Sequence, residues 1–381
     1  MDHKEKRAEI RKEIDRLDER LIPLFVSRME LAEKMAALKR EANLPLADPA
    51  REQEIINRTA AGVNPELVGH AQMFMRSLLG LSRMRQRECL MGGGETLLPA
   101  AAGKKGLPVK VAYQGVPGAW GEQAALQLFH EAEFLREDNF EDVFSAVKNG
   151  ASDYGVIPIE NSQTGAIGEV YDLLRKYGCY IVGQTWVHAR HCLMALPGVK
   201  LADIREVYSH PEGFSQCRDF LRGRAWDAVA CRNTALAAQQ VAQAASPRLA
   251  AIASPRAAEL NGLAVLAGDI MNDANNKTRF ILISDRAEYD ARCDAVSVIF
   301  YADHRSGALC DVLFPFMVQV ISLSRIESRP LSPGRYCFFV DLEANMREER
   351  TAEALSAAAA ASGYLEVLGC YRANAENEPY L

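Results

Sequence analysis

The stretch Asn276 to Phe280 reads Asn-Lys-Thr-Arg-Phe and sets a hydroxyl, a permanent cation and an aromatic ring side by side at Thr278, Arg279 and Phe280. It stands at the mouth of the apolar run Phe280 to Ile283. A polar cluster feeding a buried strand can hold an anionic ligand and offer it a hydrogen bond. The same residue types also suit a plain strand with a solvated arginine at its end. Pro158-Ile159-Glu160-Asn161-Ser162, with Thr164 and Gly165 behind it, is a second polar turn after a strand-like run, and Ser209-His210-Pro211 is a third, ahead of Gln216 and Cys217. Gly115, Pro117 and Gly118 follow the first strand, where backbone amides could hold a carboxylate or simply turn the chain. His188 and His191 flank Arg190, but no third ligand is spaced to complete a metal centre.

A second set of charges lies near the N-terminus. Ile10, Ile14, Leu17, Leu21, Leu24, Leu31, Met35 and Leu38 recur in steps of three and four, with Arg28 in an apolar position. This predicts one helix of about 50 Å from Lys6 to Arg40, kinked at Pro23. Arg28 and Lys39 fall on one face about 16 Å apart along the axis, a gap two long side chains can close around a small anion. Arg11 lies about 25 Å before Arg28 and roughly 100° around the helix, so it serves that pocket only from a second copy of the chain, or is a solvated charge. Asp48 with Pro49 and Asn64 with Pro65 predict the starts of a second and a third helix. In the third, the stripe Val68, Ala71, Met75, Leu78 continues into Ser82 and Gln86. Arg51 in a first turn opposes the helix dipole unless an anion is also present.

Arg11, Arg28, Lys39, Asp48, Arg51, Glu52, Ser82 and Gln86 together resemble the all-helical chorismate mutase family. The resemblance implies a three-helix domain over residues 1–90. Arg11 and Arg28 would hold two substrate carboxylates, and Lys39 and Gln86 would donate to the ether oxygen as its bond breaks. No cofactor is implied.

Residues 91–108, with Gly92, Gly93 and Gly94 and a short alanine run, read as a flexible linker between independently moving domains. Beyond it, apolar runs at Val109 to Tyr113, Tyr154 to Ile159, Tyr180 to Val187, Cys192 to Leu196, Ala228 to Cys231 and Ala250 to Ala253 alternate with helical stretches. That pattern predicts an α/β fold with at least one mostly parallel sheet, and the late return at Phe280 to Ile283 predicts two lobes with a cleft. The Pro-Ile-Glu-Asn-Ser and Asn-x-Thr-Arg-Phe strings make residues 109–286 resemble prephenate dehydratase, a two-lobed α/β domain like the periplasmic binding proteins. By that resemblance Thr278 is the main catalytic residue and Glu160 the proton source if burial raises its pKa. Arg279 would hold a carboxylate, Asn161, Ser162 and Ser209 would orient the ligand, and Phe280 would support the pocket. Gly121 and Glu212-Gly213 depart from the family's usual hydroxyl residue and Gln-Ala.

Residues 294–381 give a strand, helix, strand, strand, helix, strand order, the pattern of a ferredoxin-like domain, with Pro315 expected to end or kink its first helix. Gly307, Ala308 and Leu309, with Cys310, and Glu327, Ser328, Arg329 and Pro330 resemble the amino-acid-binding ACT domain. There phenylalanine binds between paired domains. Arg329 could also simply pair with Glu327.

With 381 residues, 49% apolar and 25% charged, the chain reads as a soluble multidomain protein. Its net charge of -6 argues against nucleic acid or an anionic membrane as partner. Nine cysteines without a Cys-x-x-Cys pair indicate no zinc site and a reducing cytoplasm. The expectation is therefore a cytoplasmic bifunctional enzyme of phenylalanine synthesis, a homodimer or homotetramer without metal or cofactor, acting on chorismate and prephenate under feedback by L-phenylalanine. A phenylalanine-sensing binding protein, or an enzyme retaining only the mutase activity, is the alternative.

Overall fold

The computed structural model describes residues 3–45, 48–91, 97–332, 335–373 and 379–381. The first unit is three helices: α1 (His3–Glu41), α2 (Pro49–Ala61) and α3 (Val68–Met91). Asp48 starts α2 as expected, its carboxylate accepting the Arg51 amide at 3.0 Å. Asn64 makes no side-chain cap, because a 3-10 turn over Pro65–Leu67 intervenes before α3. α1 continues through Pro23, where the surface is exposed and water can serve the unpaired carbonyl. Ala32 and Ala36 of α1 are buried alongside Leu79 and Met84 of α3, whereas every residue from His3 to Ser27 is exposed.

The middle unit comprises β1 (Lys110–Gln114), α4 (Trp120–Leu128), β2 (Glu133–Glu137), α5 (Phe140–Lys148), β3 (Tyr154–Asn161), β4 (Gly165–Ala166), α6 (Gly168–Tyr177) and β5 (Tyr180–His188). It continues with β6 (Cys192–Ala195), β7 (Glu206–Ser209), α7 (Pro211–Gln216), α8 (Arg218–Leu221), β8 (Asp227–Ala230), α9 (Thr234–Ala244), β9 (Leu249–Ala253), α10 (Pro255–Leu260), β10 (Ala264–Ala267) and β11 (Lys277–Ser284). Two sheets result, ordered β2-β1-β3-β11-β5 with β4 on β3, and β10-β6-β9-β7-β8. The two lobes are as expected, and in each strand order four of the five strands run the same way, with β11 reversed in the first sheet and β6 in the second. β1 runs parallel to β2 and β3, while β11 runs antiparallel to both β3 and β5. The chain leaves the first lobe after β5, builds the second sheet, and returns as β11 in the opposite direction. β6 is likewise antiparallel to β9 and β10, while β7 is parallel to β8 and β9.

The last unit is β12 (Ala295–Asp303), α11 (Ala308–Val318), β13 (Leu323–Ser332), β14 (Arg335–Leu342), α12 (Glu349–Ser362) and β15 (Leu365–Tyr371). Its antiparallel sheet is ordered β13-β14-β12-β15, the ferredoxin-like arrangement. α11 does not end at Pro315. Val312, Pro315 and Phe316 are buried together, and that packing carries the helix on to Val318.

This module touches both of its neighbours. Its sheet packs on the first lobe, where Ile299, Phe339 and Tyr371 share one core with Ile159, Ile281 and Ile283. β15 lies so close to β5 that a Cβ at Gly369 would sit 1.9 Å from the Ile181 carbonyl oxygen. Its helices face α3: Phe314 lies against Gly80, and Arg87 donates to the Ser356 carbonyl. Gly92, Gly93 and Gly94 fall outside the described residues, but 97–108, expected to be flexible, is held in place. Leu98 is fully buried in the last module's core, worth about 2 kcal/mol. The Ala102 amide donates to Ala287 at 2.8 Å, and Lys105 bridges Asp153 and Asp285.

Candidate active sites

In the helical unit, α1 and α3 bring four of the expected residues together. Arg28 donates to the Leu78 carbonyl at 3.1 Å and to the Ser82 hydroxyl, and Lys39 donates to Gln86 Oε1 at 3.2 Å. Ser82 and Gln86 are buried, and burial draws the Arg28 pKa down. The bond from Lys39 turns the amide NH2 of Gln86 toward any ligand. Glu52 is fixed by an ion pair with Arg83 of α3. The anion that offsets Arg51 is Glu54, 2.6 Å away on the next turn, so its helix position needs no ligand to explain it. Arg11 lies on the exposed half of α1, far along the helix from this cluster.

Between the two lobes lies a cleft of about 320 Å³. Asn161 and Thr278 stand opposite one another on β3 and β11 and both line it. Asn161 Nδ2 donates to Thr278 Oγ1 at 3.0 Å and to Asn276 Oδ1 at 2.9 Å, while its own carbonyl oxygen accepts the amides of Gln163 and Thr164. Every group of Asn161 is committed, so Thr278 is held as an acceptor on one side and keeps its O–H to donate. Phe280 and Pro158 also line the cleft.

Glu160 and Arg279 require a correction: neither side chain lines the cleft. The ladder shifts register between Arg279/Phe280, with Ile159 as the extra residue on β3. The shift leaves Pro158 and Asn161 facing the cleft and sends Ile159 and Glu160 to the other face. There Glu160 pairs with Arg325 at 2.8 Å and with Arg279 at 3.4 Å, and Arg279 donates to Asp341 at 2.8 Å. Asp341 also accepts the Ser297 hydroxyl, which is bonded to Tyr371 at 2.8 Å. These charges join β3 and β11 to the sheet of the last module. Ser162 and Ser209 do not line the cleft either. Ser162 accepts the Lys277 amide at 3.0 Å, and the fully buried Ser209 donates to the Ile252 carbonyl at 2.9 Å, so both hydroxyls hold backbone.

The second lobe supplies residues that sequence reasoning missed. Arg232, Asn233 and Thr234 line the cleft where β8 gives way to α9, and the Asn233 side chain caps Leu236 at 2.7 Å. The strand-end logic applied to Ser209 also holds for Arg232 and could have found it. Trp120, His191 and Gln216 line the cleft as well, with His191 Nε2 2.8 Å from Gln216 Oε1. The departure at Gly121 has a steric basis. A Cβ there would lie 2.7 Å from the Gln114 carbonyl oxygen, so backbone occupies the space a side chain would need.

In the last module Gly307 has a φ of +82° at the start of α11, with Ala308 buried and Leu309 half-buried behind it. Glu327 and Arg329 do not pair with each other. Arg329 reaches Asp172 of α6 at 3.3 Å, and Glu327 lies 3.9 Å from Arg325. The alternation of β13 puts Arg325, Glu327 and Arg329 on one face and Ser328 and Pro330 on the other.

A two-lobed cleft with a clamped hydroxyl, a helical cluster of cations and amides, and a ferredoxin-like module packed between them define a multidomain enzyme of small anionic substrates. The family model Chorismate mutase type II matches residues 10–87, and the Prephenate dehydratase model matches 111–288. The bifunctional chorismate mutase/prephenate dehydratase of Escherichia coli K12 is 31% identical over 95% of this chain and 95% of its own length. Arogenate dehydratase/prephenate dehydratase 1 of Arabidopsis thaliana is 37% identical over 69% of this chain and 72% of its own. The crystal structure of prephenate dehydratase in complex with L-Phe from Arthrobacter aurescens superposes with a TM-score of 0.65 at 30% identity, covering 72% of this chain and 92% of that one. The chain belongs to the bifunctional chorismate mutase/prephenate dehydratase family, in which an isomerase and a carbon–oxygen lyase of phenylalanine biosynthesis share one polypeptide.

Proposed function

We propose that Arg28, Lys39, Ser82 and Gln86, completed by Arg11 from a second copy of the chain, rearrange chorismate to prephenate. Arg28 and Arg11 hold the two carboxylates, and Lys39 and Gln86 donate to the ether oxygen as negative charge grows on it. Asp48, Arg51 and Glu52 frame the second helix beside this pocket. The exposed half of α1, with Ile10, Ile14, Leu17 and Leu21 all bare, supports a homodimer, or a tetramer built from it, because an apolar stripe of that length needs a covering surface.

In the cleft, Thr278 donates to the departing hydroxyl of prephenate while Arg232 holds a carboxylate. Loss of carbon dioxide and hydroxide gives phenylpyruvate, and aromatisation supplies the driving force, so one well-placed hydrogen bond suffices. Glu160 is engaged on the far face of the sheet, so water takes the place expected for it as proton source. The observation that carries this reading is the bond from Asn161 to Thr278 inside the cleft. Phenylalanine bound at the last module, around Gly307, Ala308 and Leu309 and the strand from Glu327 to Pro330, lowers the activity. The nine free cysteines suit a reducing cytoplasm.

Two variants test the division of labour. With chorismate as sole substrate, Thr278→Val should accumulate prephenate without phenylpyruvate, and Lys39→Ala should leave chorismate untouched yet convert added prephenate. Undiminished phenylpyruvate formation by Thr278→Val would contradict the assignment.

A further inference from the structure

A second cavity, of about 340 Å³, shares no wall residue with the cleft and lies where the segment after β11 meets β5 and the C-terminal residues. Cys293 lines it, as do the cations Lys104 and Arg292. Cys293 belongs to the same core as Cys370 of β15, and its sulfur lies 3.7 Å from the Cys370 carbonyl oxygen. The Asp290 amide donates to that sulfur at 3.3 Å, and the Asp290 carboxylate is held by Arg292 at 2.8 Å. Burial pushes the thiols of Cys179 and Cys217 up to about 12, the behaviour of inert buried cysteines. Cys293 moves the other way: the Cys370 thiol, and after it the Asp290 amide, draw its pKa down against burial. The contact with Cys293, together with burial, pushes the Cys370 thiol up. One sulfur of the pair is thus the readier nucleophile and stands at a cavity wall, while its neighbour keeps its proton deeper in the core.

We infer that Cys293 and Cys370 are a hydroperoxide-reducing thiol pair whose disulfide slows the dehydratase. The Cys293 sulfur attacks one oxygen of the peroxide. A sulfur–oxygen bond forms, the oxygen–oxygen bond breaks, and the departing oxygen leaves with a proton as water or an alcohol. The Cys370 sulfur then attacks the Cys293 sulfur, the sulfur–sulfur bond forms, and the hydroxyl on Cys293 leaves as water with the Cys370 proton. The two electrons lost by the thiols reduce the peroxide, and a dithiol reductant restores the pair by exchange. The effect on the cleft begins one residue further on. Tyr371 follows Cys370, and its hydroxyl is bonded at 2.8 Å to Ser297, which donates to Asp341, the partner of Arg279 beside Thr278. A disulfide admits only a narrow range of Cα separations and dihedral angles, so closing it repositions the end of β15 and Tyr371 with it. This slowing rests on the cleft being the dehydratase site; the thiol chemistry does not.

The test treats the full-length protein with hydrogen peroxide until the exposed Cys89 and Cys310 are oxidised. Remaining thiols are alkylated in denaturant, crosslinked peptides are mapped by mass spectrometry, and prephenate turnover is followed in parallel. Wild type should yield a peptide joining Cys293 to Cys370, lighter by two hydrogens than its reduced parts. Its prephenate turnover should fall by about tenfold and return with dithiothreitol. Cys293→Ala should form no such bridge and keep its turnover through the same treatment. In Cys370→Ala the sulfenic acid on Cys293 lacks its resolving thiol and should be trapped by dimedone. Cys293 and Cys370 both still open to alkylation once Cys89 and Cys310 are oxidised would overturn the inference. A bridge with turnover unchanged would overturn the coupling to the cleft. Absence of prephenate turnover before any oxidation would instead count against the dehydratase reading, and the bridge would still be decided by mass.

Discussion

Asp341 belongs to the regulatory sheet, yet its replacement by asparagine should be felt at Thr278. Arg279 is 6% exposed and faces Asp341 at 2.8 Å and Glu160 at 3.4 Å. Glu160 is itself shared with Arg325 at 2.8 Å. Breaking a buried pair from one side costs roughly 3–5 kcal/mol, because the remaining charge stays out of water. In Asp341→Asn, Glu160 still offsets part of that charge and the new amide oxygen can keep the Ser297 bond, so the lower end, about 3 kcal/mol, is expected. Arg279 sits between Thr278 and Phe280 on β11, and Glu160 sits beside Asn161 on β3. Relaxation of the ion network therefore moves both cleft residues, and a displacement of about 1 Å can cost on the order of 100-fold in rate. Urea unfolding, with steady-state kinetics of both activities, measures these effects. The dehydratase kcat should fall at least about tenfold while the mutase, whose groups lie on α1 and α3, is unchanged. Replacing both partners, Arg279→Met with Asp341→Leu, should recover stability relative to the single variant, since no unpaired charge remains. A stable Asp341→Asn protein with wild-type dehydratase kinetics would refute the reasoning.

Other outcomes follow from the same geometry. Lys39→Ala should cut mutase kcat/KM by about 10²–10³, the scale of one lost transition-state donor. Mixing Arg11→Ala with Lys39→Ala protomers should restore about a quarter of wild-type mutase activity, because half of the randomly formed dimers contain one intact site of two. Subunit-mixing kinetics checks this, and no recovery would place Arg11 outside the site. Gly121→Ser should destabilise by roughly 1–3 kcal/mol and raise the KM for prephenate, because its Cβ meets the Gln114 carbonyl at 2.7 Å beside the cleft. His191, buried with its pKa lowered, takes up its proton more readily when unfolded. Stability should therefore fall as pH drops below about 6.5, by at most about 1.4 kcal/mol per pH unit from this group, with a smaller fall in His191→Gln.

Local chemistry was legible in the sequence. Asp48 announces a helix start through its own side chain, the seam of α1 exposes Arg28 as a misfit, and Thr278 stands at a strand mouth. What failed was long-range. Glu160 and Asn161 are neighbours, and which of them faces the cleft depends on an extra residue in the pairing of β3 with β11, strands that lie far apart in the chain. The sequence offers Arg279 to the substrate because its actual partner, Asp341, belongs to a different domain. The alanine and glycine content of residues 97–108 does describe a segment without structure of its own. It says nothing of the pocket in the next domain that takes Leu98. The alternation of strands and helices predicts a mostly parallel sheet, and what it does not show is that the chain's return from the second lobe reverses β11 within it.

The central claim is that one chain carries chorismate through prephenate to phenylpyruvate under phenylalanine control. The most direct measurement is a time course of all three compounds with purified protein and chorismate alone, with and without phenylalanine. The account predicts that prephenate rises and falls as phenylpyruvate appears, and that phenylalanine suppresses phenylpyruvate. Prephenate that accumulates without onward conversion, or chorismate left unchanged, would contradict it.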